Sequence, residues 1–135
     1  MIECAVLAVG IHIASAHRPA REFHNNFNPG VYVECDGWVV GAYRNTLSRP
    51  TVYAGHTWRY GWAGVTLGVA TGYKKTLVAG CRTASGESCF RGSTSGPLYP
   101  VIAPHVQFGG ARLVIVPSIG SSSSVVPLAY EWRLR

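Results

Sequence analysis

His12 is the first side chain in this sequence that can exchange a proton near neutral pH, and it stands in an alternating apolar run, Cys4 to Ala14. An imidazole works as a general base when a neighbouring carboxylate orients it and stabilises the proton it takes up. No carboxylate stands at a telling spacing from His12, so the residue reads as one node of a hydrogen-bond network rather than as a base. The densest cluster of polar groups follows later, in the stretch Gly41 to Trp58, which carries Tyr43 and His56; His105 stands on a later apolar run. These three read as strand polar groups that could contact a bound molecule. Asp36, the only aspartate, precedes Gly37 in a turn signal, and Glu22 and Glu34 show no partner in the sequence. No Gly-x-Ser-x-Gly elbow and no phosphate-cradling Gly-Lys loop occurs. The His and Cys spacings match no zinc pattern, so neither a metal nor a cofactor is expected.

Cysteine adds one further candidate. Cys81 and Cys89 are separated by a short Gly/Ser segment, a natural loop staple in an oxidising compartment, with free thiols as the alternative. Cys4 and Cys35 stand far from them in sequence.

The elements that must position these groups are strands. In residues 2–15, Ala5, Leu7, Val9, Ile11 and Ile13 share one face, while Cys4, Val6, Ala8, Gly10, His12 and Ala14 share the other; a period of two means a strand. Val31–Cys35 and Trp38–Tyr43 flank Asp36-Gly37, a tight-hairpin signal. Residues 51–60 form the next strand, and residues 63–73 repeat the first strand's design with Thr66, Gly68, Ala70 and Gly72 on the small face. The segment 74–96 reads as a long loop. Val101–Phe108 follows, with Pro104 predicting an edge or a break in its ladder, and then Arg112–Val116. Val126, Leu128, Tyr130, Trp132 and Leu134 form the last apolar face. The sum is one all-β domain over residues 1–135, an antiparallel up-and-down barrel of about eight strands, with a β-sandwich as the runner-up.

The totals carry a second message. Hydrophobic residues make up 47% and charged residues only 13%, against about a quarter charged in ordinary soluble domains. The small second faces suit a lumen of small and polar groups inside an apolar exterior, and that exterior must meet lipid or another protein. The net charge of +6 comes without any long basic run, so specific nucleic-acid binding is not expected. The apolar run at residues 5–14 lacks a cationic start and makes a poor export signal.

The chain resembles the lipid A palmitoyltransferase family of Gram-negative outer membranes. The likeness is carried by His12 in the first strand, the polar connection ending in Pro29-Gly30, and Tyr43-Arg44-Asn45-Thr46 leading to Ala54-Gly55-His56-Thr57-Trp58. It continues in the glycine-spaced Leu67–Gly72, the proline-bracketed Pro97–Pro104, Val114–Pro117 and Leu128–Arg133. The resemblance implies an eight-stranded barrel and, in the enzymatic case, His12, Asn45 and Thr46 as the catalytic set. Asn45 and Thr46 stand where the family has an Asp-Ser pair, and an amide cannot replace a carboxylate in base chemistry. The second hairpin is shorter than the family's and its secretory leader is missing. The pattern is also similar to small bacteriophage-encoded proteins, which need no export.

Three functions follow as expectations. The first is a non-catalytic structural or interaction barrel, such as a phage virion or assembly component, with its apolar exterior buried against protein partners or further copies of the chain, in a virion or the cytoplasm. The second is a membrane lipid acyltransferase of the resembled type, in the outer membrane if a leader has been removed. The third is a barrel that binds an apolar ligand in its lumen.

Overall fold

The structure, a computed structural model, describes residues 3–18, 26–45, 49–72, 74–82, 84, 88–93, 98–116 and 124–134. Its strands are β1 (Leu7–Arg18), β2 (Phe27–Cys35), β3 (Trp38–Arg44), β4 (Pro50–Tyr60), β5 (Ala63–Ala70), β6 (Lys74–Arg82), β7 (Ser88–Ser93), β8 (Tyr99–Phe108), β9 (Ala111–Val114) and β10 (Ser124–Arg133). Eight of them close an antiparallel barrel in the order β1-β10-β9-β8-β5-β4-β3-β2, and β6 and β7 form a separate two-stranded sheet. The segment 74–96 is therefore not a structureless loop: most of it is a hairpin inserted between β5 and β8. Its strands pair Lys74 with Ser93 and Leu77 with Phe90, although their sequence lacks the long apolar alternation that marks the barrel strands.

Two kinds of connection divide the barrel into two ends. At one end the turns are tight: Asp36 and Gly37 join β2 to β3 with φ of 48° and 87°, and Gly61 and Gly109 turn with φ of 60° and 58°. Positive φ at consecutive residues matches the twist of a two-residue hairpin. The Asp36 carboxylate also accepts hydrogen bonds from the Ala5 and Val6 backbone amides, at 3.2 and 2.8 Å, so this acid ties the chain start to the turn. Cys4 and Cys35 form a disulfide at the same end. The side chains of Cys81 and Cys89 lie outside the described residues. At the other end stand the longer connections and the β6–β7 hairpin.

Alternation decides the two faces, with one correction. A bulge between His12 and Ala14 shifts the register of β1 against both neighbours. Beyond it the parity reverses, so Ser15 rather than Ala14 turns inward and is buried. The outer face of the strands is apolar: Ile11, Val31, Val40, Val52, Leu67, Ile102, Leu113 and Leu128 are all exposed. Toward the tight-turn end this wall becomes aromatic, with Trp38, Trp58, Tyr60, Trp62, Phe108, Tyr130 and Trp132 exposed. The Trp62 and Phe108 rings stack at 6.0 Å and those of Tyr130 and Trp132 meet at 4.8 Å.

The inner face is mainly small or polar, with Val39 in one apolar cluster with Tyr32 and Ala129. Tyr32, Glu34, Asn45, Thr51, Thr57, His105, Arg112 and Glu131 are buried, alongside Ala8, Ala70, Ala103 and Ala129. Glycine makes room for the larger inward rings. A Cβ at Gly41 would stand 2.6 Å from the Tyr53 hydroxyl, and one at Gly10 would enter the Tyr32 ring.

Pro104 does not break β8, which pairs with β5 continuously from Ala63↔Val106 to Ala70↔Tyr99. In an antiparallel strand the N–H and C=O of one residue point to the same neighbour. The Pro104 carbonyl accepts from Ile115, on the β9 side, so its missing N–H also faces β9. Pro127 is in the same position on β10, since Val125 and Glu131, of the same parity, bond toward Val116 and Gly110. Two prolines thus face the same part of β9 from opposite sides. The expected strand Arg112–Val116 accordingly ends at Val114, with one isolated bridge beyond it, Val116↔Val125.

Candidate functional site: the polar lumen

The lumen has two tiers. Near the tight-turn end, four strands contribute charges that meet on the barrel axis. Arg59 donates from Nη2 to both carboxylate oxygens of Glu34, at 2.6 and 2.7 Å. Its Nη1 donates to Gln107 Oε1 at 3.1 Å, and Gln107 Nε2 donates to Glu131 Oε1 at 3.1 Å. Arg112 Nη2 donates to Glu131 Oε2 at 2.5 Å and lies 3.4 Å from Glu34 Oε2. Tyr32 donates its hydroxyl to Glu131 Oε2 at 3.0 Å, and the Arg112 guanidinium stands 5.3 Å from the Tyr32 ring centre. Two acids and two arginines thus cancel in charge while crossing the lumen from wall to wall. Arg112 Nε is the one atom of the cluster that is buried with no partner.

Above this cluster the lumen carries no charge among the described residues. His12 Nε2 and the Tyr53 hydroxyl share a hydrogen bond of 2.8 Å. The His12 ring centre lies 5.0, 5.2 and 5.7 Å from those of Tyr43, Tyr32 and Tyr53. Higher still, Ser15 Oγ donates to Asn28 Oδ1 at 2.5 Å, and Asn28 Nδ2 to the Arg44 carbonyl at 3.0 Å. At the rim, Asn45 Nδ2 donates to Thr51 Oγ1 at 2.9 Å and to the Gly72 carbonyl at 2.8 Å. Its Oδ1 accepts from the Arg49 amide at 3.0 Å, and Thr51 Oγ1 donates to the Thr71 carbonyl at 2.8 Å. Asn45 therefore closes the β3–β4 connection against the end of β5.

The sequence-predicted residues divide accordingly. His12 and Tyr43 face the lumen and meet there. Asn45 is buried at the rim in backbone and threonine contacts, and Thr46 lies outside the described residues. His105 faces inward from β8 and is buried; its Nδ1 is 3.5 Å from the Ala103 carbonyl, and Gly64 opposite leaves room for its ring. His56, a strand polar group as read from the sequence, does not join them. It points outward from β4 between Trp38 and Trp58, at ring distances of 4.9 and 4.5 Å, because its neighbours Gly55 and Thr57 occupy the inward parity. No group of three His, Cys, Asp or Glu side chains could hold a metal among the described residues.

The charged cluster is what sequence reasoning missed. Its signal was nevertheless present: Glu34, Arg59, Arg112 and Glu131 each stand between larger or apolar neighbours of opposite parity, on the same face as Tyr32, Thr57, Val114 and Ala129. A charge on the small face of a strand whose other face is apolar can only be solvated by other lumen groups. Chemically, the arrangement neutralises and fills. His12 has no carboxylate bonded to it among the described residues, and the two buried acids are held by arginine. No protein-family model and no curated protein matches the chain, so its assignment rests on this inverted wall and its neutralised lumen.

Proposed function

We propose that this chain is a membrane-embedded, non-catalytic β-barrel of the outer-membrane type, whose wall faces lipid and whose lumen is a filled polar core rather than a pore. One observation carries the reading: the polarity is inverted, with Glu34, Arg59, Arg112 and Glu131 inside and an apolar wall outside. In the eight barrel strands, among residues whose side chains are described, no lysine and no acid faces outward, and the outward Arg44 ends its strand. Five of the eight barrel strands reach that length, since β1, β2, β4, β8 and β10 have 12, 9, 11, 10 and 10 residues and about 9–11 tilted residues cross a bilayer core, while β3, β5 and β9 have 7, 8 and 4. An aromatic girdle at one end suits a membrane interface. The Cys4–Cys35 disulfide supports an oxidising compartment. Lipid takes the role first expected of protein partners, as cover for the apolar wall.

The test is folding with and without an amphiphile. The chain should reach a compact, protease-resistant state only with detergent or vesicles, and Leu67→Arg at mid-wall should cost about 2–4 kcal/mol of stability in a bilayer. A monodisperse, detergent-free oligomer that tolerates Leu67→Arg would overturn the membrane reading and favour burial against protein.

Acyl transfer is a second reading, supported by the inward position of His12 on β1. Against it, His12 is bonded to Tyr53 and Asn45 is engaged at the rim. The reconstituted barrel should transfer no palmitoyl chain from phospholipid. Transfer abolished by His12→Ala or Thr46→Ala would replace the non-catalytic reading.

A further inference from the structure

The charges of this chain are sorted by height. In the lumen, Arg59 and Arg112 are balanced by Glu34 and Glu131. The tight-turn end carries Glu3, Asp36 and Arg133 among the described residues, two acids against one arginine. The long-connection end is different. There β1 ends on Arg18, β3 ends on Arg44, and Arg49 precedes β4. The inserted hairpin opens on Lys74-Lys75, closes its first strand on Arg82 and carries Arg91 in its second. No acid stands at this end among the described residues. Among the described residues the excess of cations therefore lies at this end of the barrel. The aromatic girdle marks the opposite end, so the two ends present different chemistry to the two faces of a membrane.

Resting on the membrane reading above, we infer that the long-connection end is a cationic crown that docks on the anionic, phosphate-bearing lipid headgroups of the leaflet it meets. Cations at the edge of an apolar wall stand at headgroup height, where anionic lipid attracts each by about 1 kcal/mol, or about fivefold in local enrichment. The crown draws on the ends of β1, β3 and β4 and on the inserted hairpin that follows β5, not on one run, which is why no basic motif appears in the sequence. A nucleic acid or an acidic protein would need the same charge, but the apolar wall directly beneath the crown favours a lipid occupant.

The experiment uses the full chain reconstituted in phosphatidylcholine bilayers that carry a trace of spin-labelled phosphatidylglycerol or spin-labelled phosphatidylcholine. The label immobilised at the barrel perimeter reports the selectivity. The anionic lipid should be enriched about fivefold over the zwitterionic one, and the preference should fall toward one at high salt. The quadruple variant Lys74→Gln, Lys75→Gln, Arg82→Gln and Arg91→Gln changes only the inserted hairpin and leaves the barrel wall intact. It should lose most of the preference, while Arg133→Gln at the other end should keep it. A ratio near one for the unaltered barrel, or equal loss from Arg133→Gln, would overturn the crown and leave the membrane reading standing. Failure to reconstitute in any bilayer would overturn the membrane reading itself, and the crown with it.

Discussion

The two tiers of the lumen solve the same problem with opposite means. Both must satisfy polar groups inside a closed wall that water does not cross freely. The lower tier uses full charges, with Glu34 and Glu131 each meeting both Arg59 and Arg112. The upper tier uses neutral donors and acceptors, His12 with Tyr53, Ser15 with Asn28, and Asn45 with Thr51. Buried charges tolerate the loss of a partner badly, because the remaining ion keeps its desolvation cost. Neutral hydrogen bonds contribute less and lose less. The lower tier therefore acts as a cross-brace joining β2, β4, β8, β9 and β10, and the upper tier as adjustable filling.

Substitutions rank along this difference. Glu131→Ala strips Arg112 and Tyr32 of their main acceptor and should destabilise the barrel by about 3–5 kcal/mol, read from urea unfolding in vesicles. Tyr32→Phe removes one hydrogen bond to a carboxylate and should cost about 2 kcal/mol. Tyr53→Phe removes a neutral bond to His12 and should cost about 1 kcal/mol. Equal losses for the two tyrosine variants would erase the distinction between the tiers. A double-mutant cycle between Glu131→Gln and Arg59→Gln sharpens it further. Their separation of 3.5 Å across a shared network predicts a measurable coupling, whereas Glu131→Gln and Thr51→Val, in different tiers, should add independently.

Much of the wall was legible in the residues. The alternation of Ile11, Ile13, Val31, Val33, Leu67 and Val69 with small or polar neighbours announces strands with two unlike faces, and Asp36-Gly37 announces the hairpin. The eight-stranded barrel follows from these and is the fold observed. Less legible was the β6–β7 hairpin, whose pairing has a register irregularity between Leu77 and Arg82. The inward turn of Ser15 depends on a bulge that no local residue type demands. The disulfide was also hidden, since Cys4 and Cys35 stand 31 residues apart and meet only because β1 and β2 are antiparallel neighbours. His56 shows the same limit from the other side: its parity was readable, but its place among tryptophans required knowing that the apolar face points outward.

Period-two patterning is a local property, set by backbone geometry, so the sequence by itself determined that the chain makes strands with one greasy and one small, polar face. It also determined the tight turns, because glycine adopts the positive φ of Gly37, Gly61 and Gly109 without backbone strain and Asp36 is of a type that tolerates it. Which face turns inward, and which charges meet there, was decided by closure. Tyr32 reaches Glu131 across 99 residues and Arg112 reaches Glu34 across 78. Such pairs exist only once the first and last strands have joined, when the lumen becomes the only place where those charges can satisfy one another.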